Sequence, residues 1–436
     1  MTDAGPAYPE QLEITPLGRP PRATIRVPGS KSMTNRALVL AALTDPRHGC
    51  ELHGVLHSDD TEIMARCLSQ LGYAVETDWP RERIHVRRAP SSRLVPAAAA
   101  DLFVGNSGTT MRFLTALVSL GQGRYRLDGV PRMRERPIED LLDALRQLGV
   151  HAYSERGNGC PPVVVESTGL SGGTVHVKGD VSSQFLSGLL MAAPLARGPM
   201  TITTVGPLVS RLYVTMTLEM MRRFGASVET DDPGSFHVRP QPSYQATRFD
   251  IEPDATAASY FLGAAAITQG EVTIEGLGQS SLQADAGFLD CLAQMGCEVE
   301  RQPTAWRLRG RPLHGIDVDM NTISDTVMTL AAVACFAQGP TTIRNVAHIR
   351  HKETDRLVAL ATELRRIGAE VDERADGLTI WPKPLHAAVV ETYDDHRMAM
   401  SLALVGLRVP GIVIRHPGCV AKTYPRFFDD LEKLRC

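Results

Sequence analysis

Six short stretches of this chain are apolar or small on nearly every side, and they restrict its fold more than any other feature. They read RALVLAAL after Asn35, MRFLTALVSL after Thr110, QFLSGLLMAAPLA after Ser183, ASYFLGAAAI after Ala257, TVMTLAAVACFA after Asp325 and RMAMSLALVG after His396. A helix without a polar face lies either in a bilayer or wholly inside a protein. At about 10 to 13 residues each is shorter than the roughly 20 needed to span a membrane, so each is expected to be buried in a protein core.

A second pattern alternates with these stretches: an amphipathic helix ending in glycine, followed by a short strand. It reads LSQLGYAVE at 68–76, LRQLGVHAY at 145–153, MRRFGASVE at 221–229, LAQMGCEVE at 292–300 and LRRIGAEVD at 364–372. Gly72, Gly149, Gly225, Gly296 and Gly368 stand 71 to 77 residues apart, the mark of an internal repeat. Each falls where a helix C-terminus calls for a left-handed residue. A last helix, FFDDLEKLR, closes the chain where the next copy would fall. The unit is thus strand, buried helix, strand, exposed amphipathic helix and paired strands. Six copies predict an α/β fold of two similar domains of three repeats, each with buried helices sheathed by sheets. A strand-like TIRV precedes the first repeat's helix and FDIEPD precedes the fourth. If the N-terminal strand pairs with the later half, one domain is discontinuous: residues 1–29 with 253–436, around an inserted 30–252.

With 436 residues the chain exceeds what one hydrophobic core usually supports, in keeping with two domains. A net charge of −3 speaks against a general nucleic-acid binder, so any affinity for anions must come from local clusters of cations. The eight cysteines form no C-x-x-C pair and suggest packed, reduced thiols in a cytosolic protein, without a structural metal. The opening MTDAGPAYPEQLEITPLGRP has no apolar core of a signal peptide, so a cytoplasmic protein with no membrane partner is expected.

What precedes the buried helices carries the chemistry: PGSKSMTNR, GNSGTTMR, DVSSQ, ISD and YDDHR. Helix N-termini present unpaired N–H groups and partial positive charge, and so attract anions. Capping by Ser, Asn or Asp accounts for the polar residues alone. It leaves unexplained Lys31, Arg112 and Arg397, cations near ends that disfavour them, and an anionic ligand would compensate. Lys352 and Arg356 in RHKETDRL are four apart and share a face if helical, with Glu353 between them. The segment DGVPRMRERP at 128–137 adds Arg132, Arg134 and Arg136, and AKTYPRFF supplies Lys422. Asp325, Glu353 and His396 are the candidate acid/base groups. No G-x-x-x-x-G-K-[ST] loop, nucleophile elbow or metal-ligand cluster is present. The residues alone point to acid/base chemistry on phosphorylated substrates.

PGSKSMTNRAL, GNSGTTMRF, PRMRERPIEDL, SSQFLSGLLMAAPLA, DATAASYFL, KETDRL, DDHRMAM and AKTYP, in this order, resemble the 5-enolpyruvylshikimate-3-phosphate synthase family over nearly the whole chain. The resemblance implies transfer of the carboxyvinyl group of phosphoenolpyruvate to the 5-hydroxyl of shikimate 3-phosphate, on the way to chorismate, without metal or organic cofactor. It implies two domains of three βαβαββ units around buried parallel helices, an inside-out α/β barrel, with the active site in the interdomain cleft. It also implies a monomer whose partners are these two small molecules, with no nucleic acid.

Residue by residue, Lys31, Ser32, Arg36, Ser182, Ser183, Gln184, Ser210, Tyr213, Asp325, His348 and Lys352 resemble the shikimate 3-phosphate contacts. Lys31, Asn106, Gly108, Arg132, Gln184, Glu353, Arg356, Arg397 and Lys422 resemble those of phosphoenolpyruvate. Asp325 resembles the base for the 5-hydroxyl, and Glu353 the group exchanging a proton with the vinyl carbon, with Lys422 as an assisting acid. Two positions depart from the family pattern. Phe113 replaces a usual Pro and is expected to pack near Gly108, bearing on the phosphoenolpyruvate pocket and on the inhibitor glyphosate; His348 replaces a usual Asn. The sister transferase acting on UDP-N-acetylglucosamine is disfavoured because the 128–137 loop lacks its reactive Cys and the KSMTNR triad is foreign to it. A non-catalytic phosphate binder would not need Asp325, Glu353 and Lys422 together. An RNA-terminal-phosphate-type enzyme is disfavoured by the acidic balance.

Overall fold

The computed structural model describes residues 6–90, 93–232 and 234–435. Met1 to Gly5, part of the stretch read for targeting signals, and Cys436 lie outside them. The chain divides into two compact units, Met1–Pro28 with Glu252–Cys436, and Gly29–Ile251. In the inserted unit the helices are α1 (Lys31–Ala42), α2 (Asp59–Gln70), α3 (Gly108–Val118), α4 (Glu139–Gln147), α5 (Ser183–Ala192) and α6 (Arg211–Arg223). In the discontinuous unit they are α7 (Ala255–Thr268), α8 (Phe288–Gln294), α9 (Val327–Ala334), α10 (Arg356–Arg366), α11 (His396–Gly406) and α12 (Phe427–Glu432).

The stretches without a polar face are α1, α3, α5, α7, α9 and α11, and they form the two cores as expected. Every residue of α3, α9 and α11 is buried. In α1 only Lys31 and Ser32 are not, and in α5 only Gln184. α3 packs against both α1 and α5, while α7, α9 and α11 pack on one another. Burial of six nearly continuous apolar helices is the largest favourable term available to such a chain.

The even-numbered helices α2 to α10 end alike. Gly72, Gly149, Gly225, Gly296 and Gly368 all have φ between 80° and 109°. In each case the residue after the glycine donates its N–H five residues back, as Tyr73 does to the Leu68 carbonyl, and the glycine donates three residues back. This doubly bonded cap needs a left-handed residue that only glycine adopts without cost.

Among the described residues, five of the six sheets are four-stranded and share one wiring, and the last has three strands. In the second sheet Ala99–Phe103 runs parallel to Gln122–Asp128, which pairs antiparallel with Val163–Thr168, and that with His151–Ser154. The parallel pair is joined through a buried helix, as a parallel crossover requires. The first sheet of the inserted unit takes its parallel strand from the unit's far end, Arg248–Asp250 against Cys50–His53. The first sheet of the other unit takes Arg22–Ile25 against Glu271–Glu275. In the last repeat Ile412–Arg415 is parallel to Ala388–Val390, and the strand Gln11–Ile14 pairs antiparallel where a hairpin would stand. No helix among the described residues is long and apolar enough to cross a membrane.

Candidate active site

Within the inserted unit the first turns of α1, α3, α5 and α6 carry the polar residues. Ser30 caps α1 through the Met33 N–H at 3.4 Å, which leaves Lys31 in the first turn. Its Nζ lies 3.5 Å from Oδ2 of Asp60, a buried carboxylate in the first turn of α2. Arg36, one turn further, is 2% exposed. Its Nε donates to Thr217 Oγ1 at 2.7 Å and its Nη1 to the Ser32 carbonyl at 3.0 Å. The guanidinium rests over the Phe113 ring, 5.0 Å from its centroid, and lies 6.0 Å from the centroid of Tyr213. Burial pushes its pKa down to about 10, and among the described residues no carboxylate offsets that. Arg36 is therefore a desolvated cation held by neutral groups.

Ser182 caps α5, accepting from the Gln184 N–H at 3.3 Å, with Ser183 buried and Gln184 half-buried beside it. Ser210 precedes α6 in the left-handed region, at φ 51°, an uncommon conformation for serine. The Ser210 carbonyl accepts from the Tyr213 N–H. At α3, a Cβ added to Gly108 would lie 2.5 Å from Arg112 Nη1 and 2.6 Å from Arg136 Nη2. Both guanidiniums are buried and tied to backbone, Arg112 to the Pro137 carbonyl at 3.0 Å and Arg136 to that of Asn106 at 3.2 Å. Arg132 sits on the turn Pro131–Glu135 with Nη1 2.8 Å from Glu135 Oε2, and Arg134 is bidentate to Asp128.

Within the discontinuous unit, one guanidinium organises the carboxylates. Arg356, the first residue of α10 and 1% exposed, donates Nε to Asp395 Oδ2 at 2.7 Å. It donates Nη2 to Glu353 Oε2 at 2.9 Å and Nη1 to Asp325 Oδ1 at 3.2 Å. Burial alone would lower its pKa, but Asp395, Glu353 and Asp325 together raise it. Arg397 Nη2 holds the other oxygen of Asp325 at 2.7 Å, and Lys352 Nζ stands 4.0 Å from Oδ1. Lys422 Nζ lies 3.9 Å from Glu353 Oε1. Asp325 and Glu353 are thus held as carboxylates on neighbouring nitrogens of one guanidinium, each with a further cation beside it. His348 is buried near Lys352 and Asp325; burial, reinforced by Lys352, pushes its pKa down to about 3, so its imidazole is neutral at pH 7. The ring of His396 is buried, with Nδ1 3.6 Å from Asp395 Oδ1.

Three expectations change. Lys352 and Arg356 do not share a helix face: Asp355 caps α10, Lys352 precedes it in extended backbone, and the two converge through Asp325 instead. Phe113 is fully buried under Arg36, so its contact with the cations is on the Arg36 side. Nor do Lys31 and Arg397 lack compensation within the chain, since Asp60 and Asp325 supply it. Sequence reading also passed over Asp395. Its place as N-cap of α11, bonded to the Arg397 N–H at 2.9 Å, was legible in YDDHR, but its pairing with Arg356 was not. Asp60 and Thr217 were missed because no pattern in the sequence pairs them with Lys31 and Arg36, and the ties of Arg112 and Arg136 to backbone carbonyls left no trace there either.

Repeated βαβαββ sheets around apolar helices, with cation–carboxylate clusters at the helix starts, define the enolpyruvyl transferase fold. An enolpyruvyl transferase from Streptomyces tendae shares it at a TM-score of 0.76 and 22% identity, over 98% of this chain and 97% of that one. The narrower assignment comes from sequence: residues 18–431 match the family described as EPSP synthase (3-phosphoshikimate 1-carboxyvinyltransferase). A 3-phosphoshikimate 1-carboxyvinyltransferase of Trichormus variabilis is 47% identical over 426 residues, 98% of this chain and 99% of that protein. One from Nostoc punctiforme is 48% identical over 97% of this chain and 100% of its own length. The solved EPSP synthase of Acinetobacter baumannii has a TM-score of 0.81 at 26% identity, covering 97% of this chain and 98% of that one. The chain belongs to the EPSP synthase family.

Proposed function

We infer that this protein transfers the carboxyvinyl group of phosphoenolpyruvate to the 5-hydroxyl of shikimate 3-phosphate, releasing phosphate. The observation that carries the mechanism is the triple engagement of Arg356, which holds two proton-carrying carboxylates, Asp325 and Glu353, within one hydrogen-bonded network. In this reading Arg36, Ser182, Ser183, Ser210 and Tyr213 bind shikimate 3-phosphate, the phosphate answering the uncompensated charge of Arg36. Lys31, Ser32, Gln184 and Lys352 add contacts to the same ligand, and neutral His348 offers one donor and one acceptor much as an asparagine amide would. Phosphoenolpyruvate is held by Arg356, Arg397 and Lys422, together with Lys31, Asn106, Gly108, Arg132 and Gln184.

Asp325 takes the 5-hydroxyl proton as the oxygen attacks C2 of phosphoenolpyruvate. A proton delivered to C3 from the Lys422 ammonium, beside Glu353, leaves cationic character at C2, which the nearby carboxylates stabilise. As phosphate leaves the resulting tetrahedral adduct, the Glu353 carboxylate takes a C3 proton and passes it back to Lys422, which restores the vinyl group. Pre-positioned cations hold both anionic substrates in attacking geometry. The seven free thiols among the described residues suit a reducing compartment, and a cytoplasmic monomer is the setting of this reading.

Phosphate release tests the assignment. It should require shikimate 3-phosphate and phosphoenolpyruvate together; turnover with UDP-N-acetylglucosamine instead would assign the sister reaction.

A further inference from the structure

Asp395 reaches Arg356 through a turn that its own residues disfavour. Tyr393 and Asp394 both have φ 54°, consecutive left-handed positions occupied by side chains larger than glycine. Such a turn persists only where its surroundings hold it, and among the groups that hold it is a buried carboxylate on α10. Glu363 is fully buried and seven residues, or two helical turns, beyond Arg356. Its Oε2 accepts from the Glu391 N–H at 3.0 Å, and its Oε1 from the Tyr393 hydroxyl at 2.7 Å. Arg366 Nε, 3.2 Å from Oε2, balances the charge. One side chain therefore grips residues 391 and 393, immediately before the residue that anchors Arg356.

We propose that Glu363 is a positioning residue for the reaction assigned above: by fixing the 391–394 turn it aims Asp395 at Arg356, and through Arg356 it sets Asp325 and Glu353. The inference rests on that reading of the reaction. α10 carries Arg356 at one end and the clamp at the other, so helix and turn are registered to each other by a buried acceptor. Without the clamp the turn relaxes towards ordinary backbone angles, Asp395 shifts, and the acid/base pair loses its geometry. A misplacement of about 1 Å remote from the chemistry costs on the order of a hundredfold in rate.

The test compares Glu363→Gln, which keeps side-chain volume, with Tyr393→Phe, which deletes a single hydrogen bond, and with the double variant. Phosphate release gives kcat and KM for phosphoenolpyruvate, and circular dichroism with urea unfolding reports the fold. We expect a folded Glu363→Gln with kcat lowered by on the order of tenfold or more. Tyr393→Phe should act in the same direction more weakly, and the double variant should be no worse than Glu363→Gln, since both act on one clamp. A merely structural role would lower urea resistance and leave kcat and KM unchanged, which overturns the proposal. Should Glu363→Gln fail to fold, Tyr393→Phe decides: a kcat equal to wild type overturns the clamp, and a lowered one supports it. Inactivity of the wild-type protein itself with both substrates refutes the assigned reaction rather than the clamp.

Discussion

Replacing Arg36 by Met should make the ligand-free protein more stable while removing its response to shikimate 3-phosphate. The guanidinium is 2% exposed and burial pushes its pKa down from the usual arginine value to about 10. That depression amounts to roughly 3 kcal/mol at 1.36 kcal/mol per unit. The sign follows from linkage: at neutral pH the group is charged in both states, so the folded protein carries the whole cost. It is relieved only above pH 10, where the folded state alone releases the proton. Methionine fills the space over Phe113 but loses the bonds to Thr217 and the Ser32 carbonyl, together worth about 1–2 kcal/mol. A net stabilisation of about 1–2 kcal/mol remains. Urea unfolding at pH 7 measures it, without ligand and with shikimate 3-phosphate. The wild type should gain about 2.7 kcal/mol at a hundredfold excess over Kd, and the variant almost nothing. If the variant instead unfolds at lower urea without ligand, or keeps the full ligand shift, Arg36 is a structural strut and the argument fails.

Asp325→Asn and Glu353→Gln should each lower kcat by on the order of 10²–10⁴ with the circular dichroism spectrum retained, and wild-type rates from either would remove it from the acid/base pair. Gly108→Ala places a methyl against two guanidiniums tied to backbone carbonyls. It should raise KM for phosphoenolpyruvate severalfold more than KM for shikimate 3-phosphate; steady-state kinetics with each substrate varied checks the split. The depressed pKa of His348, about 3 against 6.5, means that the unfolded state alone takes up this proton as pH falls below 6.5. Stability from this source is complete above that pH and declines below it, by about 2 kcal/mol at pH 5. His348→Asn should shrink the loss of urea resistance between pH 7.5 and 5 by about that amount, and an unchanged pH dependence would contradict the burial argument.

The backbone plan was legible because it is written locally. A glycine after an amphipathic turn predicts its own cap, and the doubly bonded ends at Gly72, Gly149, Gly225, Gly296 and Gly368 match. An apolar run of ten residues likewise predicts its burial, as α3 and α11 demonstrate. Partner choice is written elsewhere. Lys31 finds Asp60 across a helix pair, Arg36 finds Thr217, 181 residues away, and Arg356 finds Asp395, 39 residues on. None of these pairings leaves a periodic trace, so the charged residues could be placed at helix starts but not paired. The Tyr393–Asp394 turn was illegible for a different reason: its residues prefer other backbone angles, and a buried side chain from α10 helps hold them there.

The strand Gln11–Ile14 occupies the place of a hairpin in a sheet whose other strands end at Arg415. During synthesis it therefore has no partner until some 400 further residues have been made, about 20–80 s at 5–20 residues per second. The inserted unit meets about half that delay, because its closing strand Arg248–Asp250 follows Cys50–His53 by about 200 residues and completes it before the rest of the other unit is made. The two units thus differ in folding schedule: one assembles as it is made, while the other keeps the edge-forming segments Gln11–Ile14 and Arg22–Ile25 waiting. Waiting strands are templates for pairing with other chains. The alternation of polar and apolar residues in QLEI and RATI gives those segments little to aggregate with in the interval.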